Sequence, residues 1–464
     1  MRRLICLTPA SSTRFDKEAT TMHFEYPHPS RHLTALSLAC LLTAAQVLAE
    51  PAVGNGPLPP ATPVASAVQS GVLHLPYLLK QAALAHPSMQ AARLDARASA
   101  EDLRAVERQR WPTLSAIVES KSTNTNVSSS RALRLEQNLW DGGRTDARIR
   151  EAEGNVASNE ARIGIQNQTL SMQIINAWQN LLSADGRIRV AHDTLDQLAK
   201  YREQMLRRVT ADVSPPIDLE LVQSRILQTE VELTQALNAR QVTLSKLEQY
   251  SGVEDLSQMA QRPAPAPSLL QTSDVARQFG QTNWRDIASQ HPDVIKARQD
   301  VSVAQQRIEA KRSEQWPQVY VRLDQPMGST DNSLTGFVGL RYTPGAGLST
   351  GLEVQALVSR AASQEQAIET AMRNVLEVLY ADHSEFTSSR SRMVALDKSV
   401  QGSRAVLESY GRQFTAGRKT WQDLMNAVRE LAQNQYNLVD AHATMVSAMY
   451  RLQIRTGQSP SPAE

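Results

Sequence analysis

Two spacings of apolar residues alternate along the chain and predict long helices separated by pairs of short strands. A helical segment over about 77–109 ends at Trp111-Pro112, because proline disfavours helix at the residue before it. Beyond it, apolar and polar residues alternate from Leu114 to Glu119 and again from Leu133 to Leu139. This period-two pattern predicts two strands of about 8 to 10 residues, each with one apolar and one polar face.

A long helix and a shorter returning helix are predicted after these strands. No proline occurs from Arg144 to about Ala211, which predicts a rod of about 100 Å. Asp141 is well placed to be the N-cap residue of this helix. Ser214-Pro215-Pro216 marks the reversal, and the returning helix extends to Gly252. Its apolar seam has spacings of four and three, typical of coiled coils, at Ile226, Leu233, Leu237, Leu244 and Leu247.

The second half of the chain repeats this plan at a constant offset of 205 residues. His86-Pro87 reappears as His291-Pro292, and Asp218 reappears as Asp423. The offset is far longer than a solenoid repeat of roughly 20–50 residues, so it indicates a duplicated module. The repeated elements are a helix over about 283–313, strands around 319–324 and 334–342, a long helix to about Phe414 and a last helix from Trp421 to about Arg455.

The predicted organisation has six parts, and the first has the features of an export signal. An apolar run from Leu33 to Leu48 follows Arg31-His32, and a small-residue cleavage site ends at Ala49. We expect Met22 to be the true start, because residues 1–21 are polar. Lipidation at Cys40 is the weaker alternative to cleavage after Ala49. The parts are a signal region at 1–49, a flexible lead-in at 50–71, the first structural repeat at 72–258, a linker at 259–280, the second structural repeat at 281–458 and a tail at 459–464.

Composition and charge narrow the function classes. A mean hydropathy of −0.37 and an aromatic content of 5% suit long helices better than a compact enzyme core. Without the leader, 44 basic and 44 acidic residues remain, a neutral balance that gives no indication of nucleic-acid binding. Cleavage would also remove both cysteines, Cys6 and Cys40. The histidines lack metal-ligand spacing, and no phosphate loop or nucleophile motif occurs, so we expect neither a cofactor nor an enzyme.

The four predicted strands are too few to close a barrel, and their open edges favour pairing with another chain. Strands of about ten residues with one apolar face can span a bilayer when tilted. Two copies would supply eight strands and three copies would supply twelve, and twelve strands would enclose a water-filled pore. The alternative is a soluble four-stranded sheet with one solvated face. The expected lumen residues are Arg134, Glu136, Arg322, Asp324 and Arg341.

Three motifs give the chain its resemblance to the TolC family of outer-membrane channels: Gln137-Asn-Leu-Trp-Asp-Gly-Gly143, Phe414-Thr-Ala-Gly417 and Trp421-Gln-Asp423-Leu424. The resemblance implies an α+β, mainly α fold. It implies a homotrimer whose twelve-stranded barrel lies in the lipid of the outer membrane of a Gram-negative bacterium, continued by a twelve-helix tunnel through the periplasm. A periplasmic adaptor and an inner-membrane transporter of the ABC or RND type would dock at the tunnel tip.

The resemblance also implies roles for residues at the tip. Asp423 would form a carboxylate ring at the pore entrance that favours cations, although it can equally serve as a helix cap. Asn426 stands one turn further on and makes a second ring neutral, and Asp218 holds the equivalent place in the first half. The expected tip and adaptor contacts are Pro215, Pro216, Gly417, Arg418 and Lys419.

The predicted function is therefore an outer-membrane exit duct, either for type I protein secretion or for multidrug efflux. The strand end at Leu139-Trp140-Asp141 and the tip at Ser214 to Asp218 resemble secretion members that export large adhesins. The alternative is a soluble periplasmic coiled-coil adaptor, which fits neither the duplication nor the four amphipathic strands. A cytosolic coiled coil fits neither the leader nor the strands.

Overall fold

The computed structural model of the 464-residue chain describes residues 72–123, 126–253, 255–256, 262–263, 269–327 and 333–457. The predicted signal region, Met22, Cys40, the lead-in and the tail lie outside the described residues. None of the helices formed by these residues combines the length and the hydropathy that crossing a membrane requires.

Two groups of helices alternate with two pairs of strands. The elements of the first half are α1 (Leu75–Ala85), α2 (Pro87–Glu107), β1 (Thr113–Thr123), β2 (Asn126–Trp140), α3 (Arg144–Thr210) and α4 (Pro216–Ser251). The elements of the second half are α5 (Leu269–Gly280), α6 (Trp284–Ser289), α7 (Pro292–Arg312), β3 (Gln318–Pro326), β4 (Thr335–Arg341), α8 (Thr350–Thr415) and α9 (Trp421–Arg455). A separate two-residue parallel pair joins Val72–Leu73 to Arg262–Pro263.

The helices of the two halves correspond in length as well as in order. The long helices α3 and α8 have 67 and 66 residues, and the returning helices α4 and α9 have 36 and 35. Both α2 and α7 have 21 residues. The predicted duplication and long helices are therefore present. Within the predicted linker 259–280, α5 forms a helix of 12 residues.

The prediction of one continuous helix over 77–109 and another over 283–313 is wrong, because each of them is interrupted. The first is divided at His86 and the second at Gln290 and His291. Proline follows each histidine and forces it into an extended conformation, with ψ of 132° at His86 and 140° at His291. Each histidine side chain then accepts a hydrogen bond from the backbone N–H two residues on, so both act as caps.

One antiparallel sheet has the strand order β1-β2-β3-β4, which leaves β1 and β4 as its edges. The first hairpin is longer than predicted, with strands of 11 and 15 residues, while the second has 9 and 7. A bulge between Asn138 and Trp140 shifts the register where β2 approaches α3. Leu334, predicted to begin the last strand, lies just outside β4.

The helices follow the same order as the strands. The long helix α3 contacts α2 and α4 of its own half and α7 and α9 of the other half. The equivalent helix α8 contacts only α7 and α9 along any substantial length within the described residues. Consequently α2 and α4 lie on one edge of the helical layer and α8 lies on the other. The main apolar core joins α1 and α6 to α3, α8 and α9, around Trp178, Trp284 and Phe386.

The seam of α4 differs by one position from its predicted course. Val222, Thr229, Ala236 and Thr243 are buried at intervals of seven, whereas Leu237, which we assigned to the seam, is 48% exposed. Leu244 and Leu247 are buried as predicted. The centre of the seam thus consists of small residues, which carry a weaker hydrophobic signal than the leucine beside them.

Capping of α3 also differs in detail from the prediction. The N-cap position is Gly143, not Asp141. Asp141 nevertheless caps the helix with its side chain, because Oδ2 accepts hydrogen bonds from the backbone N–H of Thr145 at 2.8 Å and from its hydroxyl at 2.5 Å. Gly143 and Gly142 adopt positive φ angles of 84° and 67°, which glycine tolerates without strain.

Candidate functional site: the charged sheet face and the helical tip

All five residues predicted to line a lumen lie on one face of the sheet. Arg134 and Glu136 of β2 are directly opposite Asp324 and Arg322 of β3. Arg134 makes a two-pronged ion pair with Asp324, with N···O distances of 2.9 and 3.3 Å, and Arg322 reaches Asp324 at 3.2 Å. Arg341 of β4 extends across β3 to Glu136 at 3.0 Å. The face therefore carries two groups of ion-paired side chains, Arg134–Asp324–Arg322 and Arg341–Glu136.

Aromatic rings complete this charged face. The guanidinium of Arg322 lies 4.5 Å from the ring centre of Phe337, and that of Arg341 lies 4.6 Å from the ring centre of Tyr320. The Tyr320 ring lies over Gly339, where a Cβ atom would approach Cζ to 2.4 Å. Gly339 is thus required for the ring to lie flat against the neighbouring strand.

The opposite face of the sheet is apolar and uncovered. Its side chains alternate along each strand with those of the charged face. None of its large side chains is fully buried by packing against the rest of the described chain. A contiguous exposed apolar surface of this kind is typical of a protein or membrane contact. Its most exposed members are Leu114, Val118, Val338 and Leu340.

Four exposed aromatic residues mark the end of the sheet nearest the helices. Trp111 and Trp316 precede β1 and β3, while Trp140 ends β2 and Tyr342 follows β4. Because the strands are antiparallel, these four positions lie at the same end. Amphipathic rings in such a row are typical of a membrane–water interface.

At the opposite end of the long helices, two reversals have the same backbone geometry. Val213 N–H donates to the Arg208 carbonyl at 2.9 Å, and Arg418 N–H donates to the Gln413 carbonyl at 2.9 Å. The left-handed residue is Asp212 in the first reversal, with φ of 51°, and Gly417 in the second, with φ of 71°. Glycine and, less readily, aspartate accept this conformation at a helix C-terminus.

Asp423 caps α9 as the third residue of that helix. Its Oδ2 accepts hydrogen bonds from the N–H of Thr420 at 3.2 Å and from the Thr420 hydroxyl at 2.8 Å, while Asp423 N–H donates to the hydroxyl at 3.1 Å. This reciprocal arrangement is a capping box. The hydrogen bonds from Thr420, and secondarily the nearby Lys419, lower the pKa of the Asp423 carboxyl. The carboxylate is half-exposed, so capping leaves it accessible to solvent.

The other predicted tip residues lie around Asp423 and the first reversal. Lys419 Nζ is 3.8 Å from Asp423 and 4.4 Å from the ring centre of Tyr410, so its charge is engaged within the chain. Arg418 and Asn426 are exposed. Asp218 is half-exposed and is the third residue of α4, the position that Asp423 holds in α9. Gly417, Pro215 and Pro216 are exposed at the two turns.

Trp421 lies at the tip, and no role was predicted for it from its sequence position. It is 4% exposed, and its indole N–H donates to the Asp218 carbonyl at 2.9 Å. A buried tryptophan needs a hydrogen-bond acceptor, and here the acceptor belongs to the other half of the chain. The available signal was the rarity of tryptophan in this chain, which has 6.

No group of histidine, aspartate and glutamate side chains suited to holding a metal ion occurs in the part of the chain that the structure describes.

Comparisons with known proteins agree with this geometry. The family model described as "outer membrane efflux protein" matches residues 78–253, which span the first strand pair and the first helical hairpin. The solved structure of CusC, reported for its transmembrane channel formation, aligns with a TM-score of 0.74 and 14% identity, over 83% of this chain and 92% of that one. Over residues 78–253 the chain therefore matches the outer membrane efflux protein family, and its fold is that of the solved channel structure.

Two named proteins are similar to this chain over most of its length. The chain is 23% identical over 344 residues to the alkaline protease secretion protein AprF of Pseudomonas aeruginosa, covering 70% of this chain and 69% of AprF. It is 22% identical over 330 residues to the cobalt-zinc-cadmium resistance protein CzcC of Cupriavidus metallidurans, covering 69% of this chain and 75% of CzcC.

These likenesses all point to one class of protein. The family model describes an outer membrane efflux protein, and the solved structure of the outer-membrane channel OprN is also similar to this chain. They favour an outer-membrane channel of the TolC type over the alternative of a soluble periplasmic adaptor.

Proposed function

We propose that this protein is the homotrimeric exit duct of a tripartite export system. Three four-stranded sheets would join into one barrel in the outer membrane, and the helical layers would join into one tunnel. The observation that carries the proposal concerns the edges of the two layers. The sheet and the helical layer each leave two edges unpaired, and these edges occur in the same order along both layers.

The edges match because the chain connects them. Edge helix α2 leads into edge strand β1, and edge strand β4 leads into edge helix α8. A head-to-tail contact of α8 and β4 with α2, α4 and β1 of the next chain would therefore pair both layers at once. Such heterologous contacts form a closed ring when the rotation per subunit divides a full turn.

The duplication indicates how the chains would pack. Helix α3 uses one face to contact α7 and α9, and by the repeat α8 has the equivalent face. In the ring, α8 would pack on α2 and α4 of the next chain as α3 packs on α7 and α9. Helices α4 and α8 both carry exposed apolar residues suited to such a contact: Leu227, Val231 and Val242 on α4, and Leu352, Tyr380, Val394 and Val406 on α8.

In the assembled barrel, the apolar sheet face would contact lipid and the charged face would line a water-filled lumen. Arg134, Glu136, Arg322, Asp324 and Arg341 carry a net charge of one positive unit per chain when all are ionised. Their mutual ion pairs keep this charge local, so the lumen would conduct hydrated solutes without strong preference for one sign.

The tip would be the selective part of the duct. Three Asp423 carboxylates around a narrow entrance would attract cations, and three Asp218 carboxylates at the equivalent position would add to them. Asn426 leaves the next level neutral, so we expect a moderate preference for cations. The turns at Pro215, Pro216, Gly417, Arg418 and Lys419 would contact a periplasmic adaptor, which connects the duct to an inner-membrane transporter of the ABC or RND type.

Passage would need no catalysis and no cofactor from this chain. AprF is named for protease secretion and CzcC for metal resistance, so the named relatives include both protein secretion and efflux. We propose type I protein secretion, with large adhesins as the cargo class, because of the strand end and tip described above. Efflux of small solutes is the second candidate.

The assembly is tested by extracting the outer-membrane fraction in mild detergent and measuring native and denatured masses. The expected result is a trimer of chains that begin at Glu50. A monomer in the soluble periplasmic fraction would contradict the proposal. Reversal potentials of the reconstituted trimer should show a cation preference that Asp423→Asn reduces, while Asp397→Asn, an exposed carboxylate of α8 remote from the tip, serves as the control.

A further inference from the structure

The two strand hairpins of the chain have the same internal register. In the first hairpin, Thr113 of β1 is opposite Glu136 of β2. In the second hairpin, Gln318 of β3 is opposite Arg341 of β4. The second pair lies 205 residues after the first in both strands, which is the offset of the sequence duplication. The duplication therefore extends to the residue pairing of the sheet.

The contact between the two hairpins of one chain gives the pattern for the contact between chains. Arg134 of β2 is opposite Asp324 of β3. In the proposed ring, β4 takes the place of β2, and β1 of the next chain takes the place of β3; these two strands form the sheet boundary. A barrel of six like hairpins closes regularly when each hairpin meets the next with the same stagger. The 205-residue offset then puts Gly339 of β4 opposite Glu119 of the next chain.

The side chain of Tyr320 extends from β3 over β4 towards this boundary. Tyr320 is opposite Gly339, and a Cβ atom on the glycine would lie 2.5 Å from the Tyr320 hydroxyl oxygen. The hydroxyl therefore lies over the glycine. The Arg341 guanidinium packs on the Tyr320 ring, 4.6 Å from its centre. Neighbouring strands lie about 4.8 Å apart, so the hydroxyl is within reach of a side chain on the strand beyond β4.

The Tyr320 hydroxyl and the Glu119 carboxylate both lack a partner in the single chain. Among the described residues, neither group makes a hydrogen bond or an ion pair. Glu119 is exposed, and its place in the alternation of β1 puts it on the charged face. Arg341 is paired with Glu136 at 3.0 Å, but its five N–H donors leave it able to bind a second carboxylate. The two groups are thus complementary in charge and in hydrogen bonding.

We propose that Glu119 of one chain binds the Tyr320 hydroxyl and the Arg341 guanidinium of the adjacent chain, so that side chains of both copies close each sheet boundary of the barrel. The inference rests on the proposed trimeric duct and adds the register in which its sheets pair. A slip of two residues would keep the two faces of the sheet but would separate Glu119 from Tyr320, so the contact selects one register.

Thiol cross-linking in the outer membrane tests the register. The proposed pairing puts Val118 of one chain opposite Leu340 of the other, with both side chains exposed on the apolar face. Leu340→Cys combined with Val118→Cys should give covalent dimers and trimers with a short, membrane-permeant bifunctional thiol reagent, as seen by denaturing electrophoresis. Leu340→Cys combined with Leu114→Cys is the matched control and should give none, because four residues along a strand separate the thiols by roughly 13 Å. The single-cysteine variants should give none either.

Dissociation of the purified trimer in denaturing detergent tests the contact itself. A hydrogen bond to a charged group corresponds to a roughly tenfold change in an equilibrium, and such changes fall mostly on dissociation. Glu119→Ala and Tyr320→Phe trimers should therefore dissociate roughly tenfold faster than the parent. Tyr320→Phe should add nothing in the Glu119→Ala background. Tyr342→Phe, which removes the same hydroxyl from an exposed tyrosine after β4, should dissociate like the parent.

The outcomes separate the contact, the register and the duct. Cross-linking through Leu114 in place of Val118, or through neither in a folded trimer, would overturn the register and the inference with it. Cross-linking at Val118 with unchanged dissociation of the Glu119→Ala and Tyr320→Phe trimers would overturn the contact. A parent protein that forms no trimer would refute the duct itself. Cross-linking at Val118 alone, with faster dissociation of both variants, supports the inference.

Discussion

Replacing Gly186 with alanine should destabilise the protein, although alanine is the better helix former. Gly186 lies in α3 where this helix crosses α9. A Cβ atom there would lie 2.3 Å from Cγ1 and 3.2 Å from Cβ of Val439. Unbonded carbon atoms prefer separations of about 3.5–4.0 Å. Valine in a helix is largely confined to one rotamer, so the helices themselves must separate.

The magnitude follows from two opposing terms. Alanine in a helix interior is more favourable than glycine by about 1 kcal/mol. Overpacking a close contact costs about 1–3 kcal/mol. The net expected change is a loss of about 1 kcal/mol in the free energy of unfolding.

Gly411 of α8 provides the matched control. A Cβ atom there would be 4.0 Å from the Tyr201 hydroxyl, an ordinary contact distance. Gly411→Ala should therefore gain about 1 kcal/mol from helix propensity alone. The two variants make the same chemical change in the two long helices, with opposite expected signs.

Thermal unfolding of the detergent-solubilised protein, at one scan rate, compares the parent with both variants. Gly186→Ala should melt a few degrees below the parent, and Gly411→Ala should melt above it. The reasoning would be refuted by a Gly186→Ala variant that melts as high as Gly411→Ala, because the crossing would then tolerate a Cβ atom.

Three further predictions concern capping and titration. Thr420→Ala should cost about 1 kcal/mol by removing the cap of α9, and Thr420→Ser should cost little, as equilibrium unfolding would measure. The pKa of Asp423 is lowered in the folded state, so its contribution is present above pH 3.8 and is lost as the pH falls further; melting curves of Asp423→Asn should lack that loss. Burial, and secondarily Arg189, lowers the pKa of His442, so stability should fall as the pH drops below 6.5, and His442→Gln should flatten that fall.

Local signals were sufficient wherever neighbouring residues alone determine the conformation. Proline and period-two alternation located both strand pairs, and the absence of proline predicted both long helices. The bounds of α9, Trp421 to Arg455, agree with the sequence prediction. The divisions of the helices at His86 and His291 were not predicted. The signal was nevertheless present, because the proline rule that ended a helix at Trp111 applies equally to both histidines.

The spacing of apolar residues did not determine how a helix is rotated about its own axis. In α4, Leu237 and Ala236 differ by one position, and only packing against α3 decides which is buried. Arg240 illustrates the same point, since this charged residue between Leu237 and Leu244 forms an ion pair with Asp185 of α3 at 2.7 Å. A charged partner on another helix cannot be inferred from the sequence of the helix that pairs with it.

The sequence by itself determined the duplication, the order of helices and strands, and the two faces of each strand. These depend on spacing along the chain, which is a local property. Tertiary structure decided which residues meet: Arg134 with Asp324, 190 residues apart, and Trp421 with Asp218, 203 residues apart. Such contacts depend on strand register and on how two helices cross, and both are determined only when the whole chain packs together.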